Sequence, residues 1–237
     1  MCYSIIIPIY NELNYLPILL DDIKKYSYNN EIIIVNDGSN DGSKELLEKC
    51  NFILLINLKN NCGKAVAVRK GLGVSKFEKI IIFDGDLEIS PNELNKIMIL
   101  NKNNDIISVF GNRNIKRLSF FNYWYFGNYF FSKLFNLFFK TTLNDVLCCA
   151  KSFYKKDLNV NMLRSKSFDI DVEIAALLSI NNKINEVHLN YNRRSKKEGK
   201  KLTIFSSGVI FYRILFIFMS HSLLAPFKRM FETALKK

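Results

Sequence analysis

The sequence predicts an α/β fold: an open, mostly parallel, doubly wound sheet with helices on both faces. Three observations carry this expectation. Short runs of Ile, Val and Phe unbroken by charge read as strands buried on both sides, as the strands of parallel sheets are. Each run is followed after a short connection by a helical pattern, and strand and helix alternate five times. Polar clusters recur where the strands should stop, and open sheets of this class bind ligands in the crevice beyond the carboxyl ends of their strands.

Ser4 to Ile9 (SIIIPI) is the first strand. Asn11-Glu12 then leads into an amphipathic helix on Leu13, Leu16, Leu19, Leu20 and Ile23 that ends near Tyr26. Glu31 to Val35 (EIIIV) is the second strand, closed by Asn36-Asp37-Gly38-Ser39, a turn composition that also offers a helix cap. Phe52 to Ile56 is the third. Asn61 to Val74 (NCGKAVAVRKGLGV) begins as a turn and continues as a helix carrying Lys64, Arg69 and Lys70. Ile80 to Phe83 form the fourth strand, a helix runs from Ser90-Pro91 to about Leu100, and Asp105 to Phe110 make the fifth strand.

The 237 residues suffice for one large α/β domain with an ample core, and 49% hydrophobic residues with 14% aromatics exclude a disordered chain. The 34 Lys and Arg outnumber the 22 Asp and Glu, and the net charge of +12 points to an anionic partner: a nucleotide, a nucleic acid or an acidic membrane surface. The basic residues are interleaved with Asn, Ile and Phe in no DNA- or RNA-binding pattern, which sets nucleic acid aside. Cys2, Cys50, Cys62, Cys148 and Cys149 lack C-x-x-C spacing, so neither a disulfide framework nor a zinc site is indicated and a reducing cytosol fits. The first residues enter a strand without a basic leader, so no signal peptide is expected. His188 and His221 have no partner at ligand or triad spacing and read as structural.

The most informative stretch is Lys79 to Pro91 (KIIIFDGDLEISP). Asp84, Asp86 and Glu88 alternate at period two, so an extended backbone would send all three carboxylates to one side. In a lysine-rich chain such oxygens can seat Mg²⁺ or Mn²⁺ on a ligand's phosphates; a solvated acidic turn is the plain alternative.

IPIYNE, VNDGSNDGS, NCGKAVAVRKGL and FDGDLEISPNEL resemble, in order and spacing, the segments of family 2 glycosyltransferases, inverting enzymes of the GT-A fold that use nucleotide-sugars. The similarity continues in Gly111-Asn112-Arg113, in Asp145 to Lys151 (DVLCCAK) and in Phe168 to Arg194. Within the family the chain looks most like the polyprenyl-phosphate branch, the dolichyl-phosphate mannose and glucose synthases and their bacterial relatives. The resemblance implies a Rossmann-like GT-A catalytic domain over residues 1–203, and residues 204–237 are read from their own pattern as amphipathic membrane-proximal helices.

It also implies roles. Pro8, Tyr10 and Glu12 would border the base and ribose of the donor, Asp37 would hold either by hydrogen bonds, and Lys64 would pair with the diphosphate. Asp84 would lie near the ribose or orient the site, and Asp86 would reach the diphosphate through the metal with Glu88, where the family usually has Gln, as a further ligand. Gly85, where Ala is commoner, would leave room for the donor. Arg113 would grip an acceptor phosphate with two parallel hydrogen bonds, which a lysine cannot copy. Arg117, Arg194 and Lys201 would be further phosphate-binding cations, and Asp171 and Glu173 in FDIDVEIAALL would face the sugar. Without the resemblance, Asp37 reads as a cap, Lys64 as a solvated lysine, Asp171 and Glu173 as helix-start acids favoured by the dipole, and Cys148 and Cys149 as core.

A polyprenyl phosphate is already ionised at neutral pH, with a second phosphate pKa of about 6. It therefore needs cationic positioning, whereas a hydroxyl acceptor also needs a general base. Leu118 to Phe139, dense in Phe and Tyr and flanked by Lys116, Arg117 and Lys140, suits a helix in the headgroup layer; an aromatic core helix or a dimer face is the alternative. Gly208 to Phe227 has about the length of a span but contains Arg213 and His221 and stops at Pro226. It reads as amphipathic helices resting on the bilayer before the basic Lys228, Arg229, Lys236 and Lys237. The resulting expectation is a metal-dependent transferase, peripheral to the cytoplasmic face of a membrane, that moves a sugar from a UDP- or GDP-linked donor to a polyprenyl or dolichyl phosphate, with a homo-oligomer left open. A family 2 transferase acting on a glycan or protein hydroxyl, or a catalytically silent nucleotide-binding subunit, is the competing expectation.

Overall fold

The computed structural model describes residues 2–113, 123–181, 183–194 and 207–220. Lys116, Arg117, Lys201, His221, Pro226, Lys228, Arg229, Lys236 and Lys237 lie outside the described residues. The strands are β1 (Tyr3–Ile9), β2 (Glu31–Asn36), β3 (Leu54–Asn57), β4 (Lys79–Ile82), β5 (Ser108–Asn112), β6 (Lys151–Tyr154) and β7 (Ile184–His188). The helices are α1 (Leu16–Lys24), α2 (Ser43–Leu47), α3 (Lys64–Val74), α4 (Leu94–Ile97), α5 (Tyr123–Phe139), α6 (Ile170–Asn181) and α7 (residues 207–220).

The seven strands form one sheet in the order β3-β2-β1-β4-β6-β5-β7. All neighbours are parallel except that β6 runs against both β4 and β5. Alternation along the strands splits the core in two. Ile5, Ile7, Ile9, Ile32 and Ile34 face one side, packed by Leu16, Leu19 and Ile23 of α1 and by Leu94 and Ile97 of α4. Ile6, Ile33, Val35, Ile80 and Ile82 face the other, under Ala65, Val68 and Leu72 of α3, Phe131 and Phe135 of α5, Ile174 and Leu178 of α6, and Ile210, Ile214 and Ile217 of α7. This is the two-sided covering that uninterrupted isoleucine runs require.

The structure differs from the expected elements in four places. The expected helix from Pro91 to Leu100 breaks into a 3-10 turn, Pro91–Glu93, and the single turn of α4, because the Ile97 carbonyl is taken by Ser152 Oγ at 2.7 Å and the Leu100 carbonyl by Lys79 Nζ at 2.7 Å. The fifth strand starts at Ser108 instead of Asp105, since Asp105 adopts a left-handed φ of 57° that closes the preceding turn. The third strand runs Leu54–Asn57 rather than Phe52 to Ile56. β6 and β7 are additional. The aromatic helix α5 turns Phe131 and Phe135 into the core while leaving Phe126, Tyr129 and Phe130 exposed.

Candidate active site

At the carboxyl edge of the parallel strands the loops enclose a cavity of about 330 Å³. Pro8 reaches it from the last residues of β1, Tyr10 and Glu12 after β1, Asp37 after β2, and Asp84, Asp86 and Glu88 after β4. Lys64 enters from the start of α3 and Asp171 from the start of α6, while Arg113 follows β5 and Arg194 lies beyond β7. β6 runs against its neighbours and so delivers Leu147 and Cys149 to the same edge, and α7 contributes Ile210.

The acidic loop after β4 is not extended. Leu87 has a left-handed φ of 58°, so the period-two argument fails locally, and the three carboxylates meet the cavity through a turn instead. Asp86 Oδ1 accepts from the Glu88 amide at 3.0 Å, and Oδ2 lies 3.3 Å from Arg194 Nη2. Glu88 accepts from the Tyr191 hydroxyl at 2.9 Å and from the Arg194 amide at 3.0 Å. Burial, and then the neighbouring Asp84 and Glu88 carboxylates, push the Asp86 carboxyl up to about 6, with Arg194 pulling the other way. Gly85 corrects an expectation: a Cβ there would sit 2.1 Å from Ile9 Cδ1, so the missing side chain leaves room for the core, not for a donor.

The donor set fits a hard divalent cation in one specific sense. Among the described residues no three acids, histidines or cysteines are gathered as a ready cage. Asp86 and Glu88 nonetheless supply oxygen ligands on the cavity wall, and Mg²⁺-type ions bind through one or two carboxylates plus a substrate's phosphates. The Arg194 contact on Asp86, at 3.3 Å, is the longer of its ion pairs and the one a cation would displace.

Lys64 is not the solvated lysine of the plain reading. Its Nζ lies 2.8 Å from Asp84 and 2.9 Å from Asp171, with the side chain nearly buried. Burial opposes its charge, yet Asp171 and Asp84 more than compensate and hold the ammonium well above its ordinary pKa. Asp171 Oδ1 is buried without a hydrogen-bond partner among the described residues. Asp37 is buried and its two oxygens accept from the amides of Cys62 at 2.7 Å and Gly63 at 2.8 Å. It therefore ties the end of β2 to the start of α3. Gly63 is required there, having φ of 92° and its Cβ position 2.2 Å from the Lys166 carbonyl oxygen.

Three further expectations are corrected. Arg113 does not stand open for a side-on fork: Nε and Nη2 already grip Asp145 at 2.7 and 2.8 Å. Arg194 pairs with Glu12 at 2.7 Å and with Asp86 at 3.3 Å, and its guanidinium carbon lies 4.8 Å from the centre of the Tyr15 ring, so its charge is taken up by two acids of the cavity wall. Glu173 is turned away from the cavity, accepting from the amides of Arg164 and Ser165, each at 2.8 Å. Cys148 is core as expected, but Cys149 lines the cavity. Asp145, Tyr191 and Ile210 were given no role by the sequence. Asp145 stands in a quoted motif, yet nothing local reveals that its partner lies 32 positions earlier.

The fold has solved counterparts. Glucosyl-3-phosphoglycerate synthase from Mycobacterium tuberculosis, in complex with Mn²⁺, uridine-diphosphate-glucose and glycerol 3-phosphate, matches with a TM-score of 0.64 at 14% identity over 91% of this chain and 79% of that one. Mannosyl-3-phosphoglycerate synthase from Rubrobacter xylanophilus matches at 0.65 with 13% identity, covering 97% of this chain and 75% of that one. Likeness at such identities speaks for the fold alone, and the fold is that of GT-A glycosyltransferases. Residues 4–163 match Glycosyl transferase family 2, and the chain belongs to that family. A dolichyl-phosphate beta-glucosyltransferase of Dictyostelium discoideum is 29% identical over 87% of this chain and 70% of its own length. Undecaprenyl-phosphate 4-deoxy-4-formamido-L-arabinose transferases from two Pseudomonas fluorescens strains are 35% and 34% identical, over 41% and 47% of this chain and only 31% and 36% of their own length.

Proposed function

We propose that the protein transfers a sugar, with inversion, from a nucleotide-sugar to a polyprenyl or dolichyl phosphate at a membrane surface. The observation that carries this reading is one cavity lined both by the acids Asp84, Asp86 and Glu88 and by Arg113. In the reaction an ionised acceptor oxygen attacks the anomeric carbon, the bond to the diphosphate oxygen breaks, and the nucleoside diphosphate leaves with the electron pair. No proton has to be removed from the acceptor. When bound on Asp86 and Glu88, Mg²⁺ or Mn²⁺ supplies charge to offset that of the leaving group. Lys64 fixes Asp84 and Asp171 on either side of itself, Pro8, Tyr10 and Glu12 border the nucleotide, and Arg113 steadies the acceptor's anionic oxygen. Phe168 and Ile210 add apolar surface to the cavity lining. Arg117 and Lys201 are proposed as additional phosphate cations, and residues 1–203 and 204–237 as catalytic and membrane-proximal parts.

The membrane reading is supported by outward apolar side chains on two helices: Phe126, Tyr129 and Phe130 on α5, and Phe211, Tyr212 and Phe216 on α7. Among the described residues no helix is long and apolar enough to cross a membrane. The five cysteines are unpaired, in keeping with a reducing compartment and the cytoplasmic face.

The test is transfer of labelled sugar from UDP- and GDP-linked donors with Mn²⁺ to a lipid phosphate alone. Transfer to the lipid phosphate supports the proposal; transfer only to a glycan or protein hydroxyl, or no transfer with nucleotide binding intact, replaces it with one of the competing readings. A thermal-shift comparison of UDP and GDP identifies the base, since ligand at a hundred times Kd adds about 2.7 kcal/mol to stability.

A further inference from the structure

We infer that Asp145 is a positioning residue for the acceptor: it holds Arg113 side-on and sets the outer edge of the guanidinium toward an anionic oxygen in the cavity. This rests on the function proposed above and adds to it a residue and a geometry. Asp145 is 1% exposed, and both of its oxygens bond Arg113, with the Asn128 side chain as a further hydrogen-bond partner. Oδ2 accepts from the Arg113 amide at 3.1 Å and from Nε at 2.7 Å, while Oδ1 accepts from Nη2 at 2.8 Å. Backbone and side-chain ends of one arginine are thus fixed by a single group. Burial alone would raise the Asp145 carboxyl, and the Arg113 guanidinium overrides it and holds the group below the ordinary carboxylate range.

The acid is itself held in place. Glu186 of β7 accepts from the amides of Asn144 at 2.9 Å and Asp145 at 3.1 Å. On the other side the Arg113 guanidinium carbon lies 5.3 Å from the centre of the Tyr191 ring, whose hydroxyl is bonded to Glu88. A guanidinium carries five N–H donors on two edges. Asp145 uses the edge formed by Nε and Nη2, and Nη1 is not among its partners. The end-on edge can therefore meet a phosphate or similar oxyanion while the side-on edge stays anchored. An arginine fixed in this way loses little rotamer entropy when the acceptor arrives. A lysine lacks the planar fork and cannot hold Asp145 with two parallel hydrogen bonds while presenting a second planar edge to an oxyanion.

The experiment uses the full chain, a nucleotide-sugar donor with Mn²⁺, and farnesyl phosphate as a short acceptor. Asp145→Asn preserves shape and removes the charge. The expected result is a KM for farnesyl phosphate raised about tenfold or more, a smaller change in kcat, and unchanged nucleoside diphosphate affinity. In an Arg113→Ala background the same substitution should add nothing to that KM. A wild-type KM in Asp145→Asn, or effects that simply add in the double variant, overturn the inference. Should Asp145→Asn fail to fold, Arg113→Lys decides, because it keeps a cation beside Asp145: a raised acceptor KM with donor affinity intact supports the inference, and a wild-type KM overturns it. Calorimetric binding of farnesyl phosphate separates this from the proposed function. Binding that depends on Asp145 without sugar transfer keeps the inference and ends the functional reading. Transfer with an acceptor KM indifferent to Asp145 does the reverse, and a protein that neither binds nor uses the lipid phosphate ends both.

Discussion

Asp86 shows how a single carboxyl is tuned by what surrounds it. Its pKa, pushed up to about 6 by burial and by Asp84 and Glu88, exceeds the value of about 4 expected in the unfolded chain. Between those values the folded state keeps a proton that the unfolded state has lost. The site's contribution to stability is therefore present in acid and lost as pH rises through about 6. A cation competes with that same proton, so Mn²⁺ affinity should fall about tenfold per pH unit below about 6 and level off above it. Calorimetric titration at pH 5 and pH 7 checks this, and equal affinities would contradict it. Asp86→Asn should lower turnover by about a hundredfold or more with the far-UV spectrum unchanged, the scale on which one transition-state electrostatic group acts. Gly85→Ala makes a different demand: its Cβ would strike Ile9 Cδ1, so a loss of about 1–3 kcal/mol is expected in urea unfolding, relieved when Ile9→Val removes that methyl.

At the scale of elements, α7 is bound to α6 by charge as well as by apolar packing. Arg213 lies 2.8 Å from Asp169 and 3.4 Å from Glu173, two buried acids in or just before the first turn of α6. Phe138 of α5 stacks on Phe218 of α7 with ring centres 4.5 Å apart. Arg213→Met would leave two buried carboxylates without that cation, a change of about 3–5 kcal/mol. Urea midpoints, with hydrogen exchange of residues 207–220, test this. A variant as stable as the wild type would show that apolar packing alone holds the helix.

For the whole molecule, the sheet is a platform with chemistry at one edge and helices α5 and α7 on one face. Those helices bury Phe131, Phe135, Ile214 and Ile217 inward and expose Phe211 and Phe216 outward. Replacing both exposed phenylalanines by Ser should weaken co-sedimentation with vesicles of acidic phospholipid while moving stability by no more than about 1 kcal/mol, since neither side chain is buried. Undiminished binding would remove α7 from the membrane reading. The net charge of +12 predicts in addition that binding declines as salt is raised.

The sequence determined what is local and periodic. Isoleucine runs such as Ile5 to Ile7 and Ile32 to Ile34 dictate strands buried on both faces, and the clusters at Glu12, Asp37, Lys64 and Asp86 fall at strand ends, so the edge of the sheet where the cavity lies was legible in advance. Only the tertiary structure decided who meets whom. Arg194 and Glu12 are 182 positions apart, Lys64 and Asp171 107, and Arg113 and Asp145 32. β6 and β7 escaped notice because Lys151 and Ser152 break the apolar pattern of the first, and the second is a half-exposed edge strand that lacks an isoleucine run. The physical reason is general: hydropathy and spacing report whether a side chain favours water or the core, but the partner that neutralises a buried charge is brought to it by chain crossings that no local pattern encodes.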